Sequence, residues 1–265
     1  MICIVILSAL FVILWPAAIR KKRRSVYQDE PWERNPLEGK RVSFIPDLSE
    51  KENADGVKGR LEAVGNSKER RSIYDRIIKR VIDCFLALCA LVVLLPVFLI
   101  LSAAVYLDDP GPVFFVQKRA GRRKQFFRLH KFRTMKLSAP HDIPTHMLKN
   151  TDRHITRVGR FLRKSSLDEL PQIWDILLGN MSFIGPRPAL WNQELLLAER
   201  DRYGANDIRP GLTGWAQING RDQLTLFEKA RLDGVYVEKE SILFDLRCFV
   251  GTIFSAIRAD GVTDA

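Results

Sequence analysis

The run CFLALCALVVLLPVFLILSAAVYL occupies positions 84–107. It holds 24 residues without a charge, and Pro96 lies near its middle. As a straight helix it would rise about 36 Å, enough to cross a hydrocarbon core. Two features predict instead a bent helix that returns to the side it came from. Pro96 removes one N–H from the helical ladder and crowds the preceding turn. Both flanks are also basic. Arg70, Arg71, Arg76, Lys79 and Arg80 precede the run, and residues 111–136 carry nine Lys and Arg with no acid among them. Lys and Arg collect on the cytoplasmic side of membrane segments, so both ends are expected there. A kinked helix that does cross is the alternative, since prolines occur in such spans.

Working outward, residues 2–19 are also free of charge, and Arg20, Lys21, Lys22, Arg23 and Arg24 follow at once. This predicts a transmembrane anchor at 1–24, with the rest of the chain in the cytoplasm. A cleaved signal peptide would carry its basic cluster on the other side. Residues 25–70 are polar and predict a cytoplasmic linker with little core of its own. The remaining expected units are a re-entrant membrane helix at 71–109 and a cytoplasmic domain at 110–265. The fold class expected is mainly α with a small β-hairpin (α+β), anchored in a membrane.

The chain has 42 Lys and Arg against 31 Asp and Glu, a net charge of +11. The clusters at 20–24 and 111–136 exceed that excess by themselves and flank the apolar runs, so anionic membrane lipid is the first partner they suggest. No motif for entering a groove or stacking on bases is present, which argues against nucleic acid. The same cations would suit a phosphate-bearing substrate. An apolar fraction of 46% excludes wholesale disorder. Cys3, Cys84, Cys89 and Cys248 show no C-x-x-C spacing, which excludes a zinc ribbon or a disulfide-stapled scaffold. His141 and His146 are five apart, off one helical face, and argue against a histidine metal site. Neither a P-loop nor a G-x-G-x-x-G is present.

Beyond the apolar run, residues 113–117 and 125–133 are β-branched or aromatic and read as a hairpin around Gly121. Residues 137–150 read as a loop and 155–163 as a short basic helix. In Ser165-Ser166-Leu167-Asp168-Glu169-Leu170-Pro171-Gln172, a helix begins whose apolar residues at 170, 173, 174, 177 and 178 keep helical period, stopped by Gly179. Pro171 must lie in its first turn, which places Asp168 and Glu169 at the N-terminal end, where anions are favoured. Ser166 and Glu169 also have capping-box spacing, and on pattern alone a plain cap is the leading reading. Adjacent helical residues point about 100° apart, so the two acids would do different jobs. Gly185-Pro186-Arg187-Pro188 holds a guanidinium on a stiff backbone, suited to a phosphate or to an ordinary turn. A helix is expected over 188–203, a ligand-holding or merely structural loop over 209–221, and an amphipathic helix over 242–257 that packs on the core or lies in an interface.

These segments, taken in order, resemble the bacterial sugar transferases, the monotopic phosphoglycosyl transferases. The motifs are Lys79-Arg80-Val81-Ile82-Asp83, Pro96, Gln117-Lys118-Arg119-Ala120-Gly121, Lys131-Phe132-Arg133-Thr134-Met135, Leu167 to Gln172, Gly185 to Pro188 and Arg209 to Arg221. The resemblance covers roughly residues 76–258. It implies transfer of a sugar 1-phosphate from a nucleoside-diphosphate sugar, usually a UDP-sugar, to polyprenyl (undecaprenyl) phosphate. That step would initiate polysaccharide or glycoconjugate assembly at the bacterial inner membrane, with dependence on Mg²⁺. By similarity Asp168 is the nucleophile and Glu169 a Mg²⁺ ligand or a base. Arg187 would bind the diphosphate, with Lys131, Arg133, Arg119 and Arg221 as further contacts. The chain departs from the family pattern at Leu95, where many members carry Ser, and at Arg122-Arg123-Lys124, where the turn often carries Gly. Two other readings stay open: a basic, membrane-anchored scaffold, and a hydrolase of sugar nucleotides on the same site. A homodimer is left open as well.

Overall fold

A computed structural model describes residues 34–67, 72–139, 154–220 and 223–258. The expected anchor at 1–24 and most of the loop at 137–150 lie outside the described residues. The apolar run forms two helices, α1 (Lys79–Val93) and α2 (Leu95–Asp108), entered through a single π-helical turn at Tyr74–Ile78. They are bent by 62° at Leu94. The break falls just ahead of Pro96, which then sits in the first turn of α2, where its missing N–H costs nothing. No single described helix is long and apolar enough to cross a membrane, while this bent pair passes by length and composition.

Strands β3 (Phe114–Ala120) and β4 (Phe126–Phe132) form the expected antiparallel hairpin, pairing Phe114 with Phe132 and Lys118 with Arg128. Its turn runs through Arg123 and Lys124 at φ 54° and 64°, the left-handed region that favours Gly. A short helix α3 (Arg157–Lys164) follows, then a 3₁₀ turn (Leu167–Glu169) and α4 (Gln172–Leu178). The main core lies where these meet. Ala87 and Leu91 of α1, Phe98 and Leu101 of α2, Leu129 and Phe132 of β4, and Ile173 and Ile176 of α4 are all buried together. One face of the bent pair thus covers the domain, while Phe85, Val93, Ile100 and Leu107 face outward.

A parallel pair, β5 (Ser182–Ile184) and β6 (Gly211–Thr213), ties the Arg187 loop to the 209–221 segment, which also contains a one-turn helix α6 (Trp215–Ile218). The helix expected over 188–203 is shorter, α5 (Glu194–Arg202). Helices α7 (Leu226–Lys239) and α8 (Ile242–Arg258) close the fold. Thr225 and Glu228 form a capping box that starts α7. Phe244 and Cys248 pin α8 to the body, and Leu243, Leu246, Phe249 and Phe254 are exposed.

One expectation is corrected. The polar segment read as a linker contains an antiparallel hairpin, β1 (Lys40–Pro46) and β2 (Gly59–Asn66), docked on α5. Leu61 packs on the cluster of Leu196 and Leu197, and polar bonds do the rest: the Val42 amide donates to Asp201 Oδ2 at 2.7 Å, and Asp55 Oδ2 accepts from the Leu195 and Leu196 amides at 2.8 and 3.2 Å. Side chains that bond to a distant helix look like solvated linker residues in one dimension.

Candidate active site

The 3₁₀ turn carries Asp168 and Glu169 between the end of β4 and the Arg187 loop. Ser166, at φ 55°, opens the turn, and its side chain caps nothing. The Glu169 carboxylate points the other way. Its Oε1 accepts from Lys131 Nζ at 2.9 Å and from Arg187 Nη2 at 2.5 Å, and its Oε2 accepts from Arg187 Nη1 at 3.3 Å. The capping-box alternative is therefore not what the side chains form. Glu169 bridges two cations that come from segments 38 and 18 residues away.

The two neighbouring acids are in opposite electrostatic states. Burial would raise Glu169, but Arg187 and Lys131 outweigh it and hold the carboxyl well below the usual range. Asp168 is shifted upward, chiefly by burial and further by the Glu169 charge, against the pull of Lys131, Arg163 and Arg187. Among the described residues, the cation paired with it is Lys131, whose Nζ stands 4.0 Å from Oδ2, and none donates a hydrogen bond to its carboxylate. Glu169 is thus fixed and fully ionised, while Asp168 is little restrained and more basic than an ordinary aspartate. That is the difference expected between a positioned acceptor and a nucleophile.

Arg187 is held through its backbone. Gly211 N donates to the Pro186 carbonyl at 2.8 Å, Arg119 Nη1 to the Pro188 carbonyl at 2.9 Å, and Ala120 N to the Ala189 carbonyl at 3.0 Å. Behind the loop, backbones meet without side chains between them. A Cβ on Gly211 would stand 2.1 Å from Gly185 N, and one on Gly214 2.1 Å from Gly185 O. The 209–221 segment is therefore the floor under the Arg187 loop.

The other expected contacts separate. Arg119 bonds Gln117 and the Pro188 carbonyl and, among the described residues, no carboxylate; burial, with Arg187 nearby, pushes it down to about 9. It is still a cation at neutral pH and is available to an anion. Arg133 is corrected: it is buried and engaged by the side chain and carbonyl of Asp109, so it fastens the hairpin to the end of α2. Arg221 lies outside the described residues. The Lys79-Arg80-Val81-Ile82-Asp83 motif serves structure. Lys79 pairs with Asp245, Arg80 donates to the last carbonyls of α4 at Ile176 and Leu177, and Asp83 accepts from Phe183 N.

Arg163 went unread in the sequence. Its Nε donates to Thr134 Oγ1 at 2.9 Å and its charge bears on Asp168. It is one of four cations in α3, and nothing local distinguishes it from a solvated neighbour. Lys131, Arg163, Arg187 and Arg119 thus surround two carboxylates, an excess of positive charge suited to a diphosphate. Among the described residues, no three His, Cys, Asp or Glu group as a metal cage. Asp168 and Glu169 are adjacent carboxylates, the donor type of which Mg²⁺ takes one or two before completing its shell from substrate phosphates. His130 Nδ1 lies 2.8 Å from Asp175 Oδ1, joining β4 to α4.

Residues 74–259 match the family described as bacterial sugar transferase. The chain is 38% identical over 189 residues to the UDP-glucose:undecaprenyl-phosphate glucose-1-phosphate transferase of Xanthomonas campestris pv. campestris, covering 69% of this chain and 39% of that protein. It is 37% identical over 186 residues to the uncharacterized sugar transferase EpsL of Bacillus subtilis (strain 168), covering 70% and 90%. It is 36% identical over 196 residues to the exopolysaccharide production protein PSS of Rhizobium leguminosarum bv. phaseoli, covering 69% and 96%. The chain thus spans about two fifths of the first relative and nearly all of the other two. The matched segment contains every acid and cation of the site, and the β1–β2 hairpin lies outside it.

Proposed function

This chain belongs to the bacterial sugar transferase family, and from that premise we propose that it transfers a sugar 1-phosphate from a UDP-sugar to polyprenyl phosphate through an aspartyl intermediate. The observation that carries the reading is the contrast within one turn, a loosely held basic Asp168 beside a Glu169 locked by Lys131 and Arg187. In the first step an Asp168 oxygen bonds to the sugar-bearing phosphorus. The bond from that phosphorus to the bridging oxygen breaks, and UMP leaves with the electron pair. In the second step an oxygen of polyprenyl phosphate attacks the same phosphorus, and Asp168 departs as a carboxylate. A relay of this kind lets a water-soluble donor and a lipid acceptor use the site in turn. Arg187, Lys131, Arg119 and Arg163 bind and orient the diphosphate. Glu169 would hold Mg²⁺, which neutralises charge on the diphosphate and on the leaving UMP.

The acceptor places the site at the inner membrane, facing the cytoplasm. The outward apolar residues of the bent pair and of α8 support this, as do the basic flanks. A re-entrant path predicts that both ends of the pair lie on one side. With the native cysteines removed, Ser72→Cys and Pro110→Cys should each react with an impermeant maleimide only from the cytoplasmic face. Reaction of one of them from the outside would replace the re-entrant helix by a span.

The enzymatic reading is tested by UMP release from a panel of UDP-sugars, with the full chain held in detergent or nanodiscs. Sustained release is expected only with polyprenyl phosphate and Mg²⁺ present. Acceptor-independent release of free sugar phosphate would indicate a hydrolase, and no release with any donor would favour a scaffold.

A further inference from the structure

The Arg187 loop has one more support, and it comes from a part of the molecule without an assigned role. Arg200, on α5, is buried. Its Nε and Nη2 both bond Asp233 Oδ2 of α7, at 2.8 and 2.7 Å. That leaves Nη1 pointing to the Arg187 carbonyl at 2.9 Å. A guanidinium fork anchored on one side is a rigid donor on the other, which a lysine cannot reproduce. The Arg187 side chain, by contrast, is 40% exposed and pairs with Glu169, a group that substrate or metal would disturb. Its backbone must then stay put by itself.

The helix that carries Arg200 is fixed at both ends by the β1–β2 hairpin. At its start no residue of α5 caps it, and Asp55 accepts from the Leu195 and Leu196 amides instead. The Ala54 amide adds a bond to the Asn192 carbonyl at 3.1 Å. At its end Asp201, next to Arg200, is buried and accepts from the Val42 amide, from Asn206 at 2.6 Å and from Lys124 Nζ at 2.9 Å. Arg41 reaches the Asp201 carbonyl and bonds Asp207 at 3.1 Å. A helix gripped this way can neither slide nor turn without breaking several buried bonds at once.

We infer that Arg200 is a positioning residue for Arg187, and that the hairpin at 40–66 sets the helix from which Arg200 acts. The inference rests on the proposed role of Arg187 as a diphosphate contact. It gives the hairpin, which lies outside the family-matched segment, a part in donor binding.

The test is kcat and KM for the UDP-sugar, read by UMP release on the full chain, together with Tm. Arg200→Lys should raise KM about tenfold, the scale of one lost hydrogen bond to a charged donor, with kcat near the parent value. Asp233→Asn, which keeps the shape but loosens the fork, should raise KM in the same sense. The double variant Arg41→Ala with Asp55→Ala should raise it severalfold. In an Arg187→Ala background none of these should raise KM further, because their effect passes through Arg187. If Arg187→Ala alone leaves KM unchanged, the proposed function of that residue fails. If Arg187→Ala raises KM but the Arg200 and Asp233 variants do not, or add to it in full, the positioning inference fails. A hairpin variant that lowers Tm and leaves KM unchanged overturns the hairpin's share. Should Arg200→Lys not fold, Asp233→Asn and the hairpin variant decide the question.

Discussion

Asp168→Asn is expected to abolish both turnover and covalent labelling by a sugar nucleotide carrying a radiolabelled β-phosphate. The loss in kcat should be on the order of 10⁴–10⁶, the scale seen when a nucleophile is removed. Asn has the shape of Asp but no anionic oxygen to bond to phosphorus. The same substitution should raise Tm. Burial shifts Asp168 upward despite the cations near it, so its ionised form at neutral pH opposes folding. Removing the charge relieves that penalty. An inactive variant that is also more stable cannot be dismissed as misfolded, and this pairing separates a nucleophile from a structural acid. Retained labelling in Asp168→Asn would overturn the assignment, and a lower Tm would show that the carboxylate stabilises the fold.

Much of this site was legible because its signals are local. Pro96 in an uncharged run gives a bend, since the missing N–H acts within one turn, and the structure places the break at Leu94. Short β-branched and aromatic runs on either side of Gly121 give β3 and β4. Pro171 confines Asp168 and Glu169 to the approach to α4, where they occupy a 3₁₀ turn that Ser166 opens in a left-handed conformation. What stayed hidden depends on distance along the chain. Lys131, on β4, and Arg133, just past its end, are two apart, yet one pairs with Glu169 and the other with Asp109. Arg163 gains its place from α3 packing on the segment after β4, where Gly159 lets Thr134 O approach to 2.1 Å from a would-be Cβ. The N-terminal hairpin has a single strongly buried apolar side chain in its strands, Val42, and is held by long-range polar bonds that composition cannot reveal.

The electrostatic contrast between the two acids makes a second large prediction, in which two substitutions move one pH limb in opposite directions. The acid limb of kcat/KM should report the ionisation of Asp168 and lie above the ordinary aspartate range. Lys131→Met removes the strongest attraction on Asp168, so the limb should move to higher pH. Glu169→Gln removes a repulsion and frees Lys131, whose Nζ is already 4.0 Å from Asp168 Oδ2, so the limb should move to lower pH. Glu169→Gln should nonetheless lower kcat roughly 10²–10³-fold, the cost of losing one preorganised group at the reacting centre, since Arg187 and Lys131 lose the carboxylate that aims them. Its effect on stability has a definite pH window. Because the folded Glu169 is held below its ordinary value of 4.5, its contribution is complete above that value and is lost as pH falls below it. The Tm gap between the parent and Glu169→Gln should therefore be widest near neutrality and close on acidification. Shifts of the two limbs in the same direction would show that the titrating group is not Asp168, and the nucleophile would have to be sought elsewhere. Opposite shifts would tie the acid limb to the carboxylate that lies between these two charges.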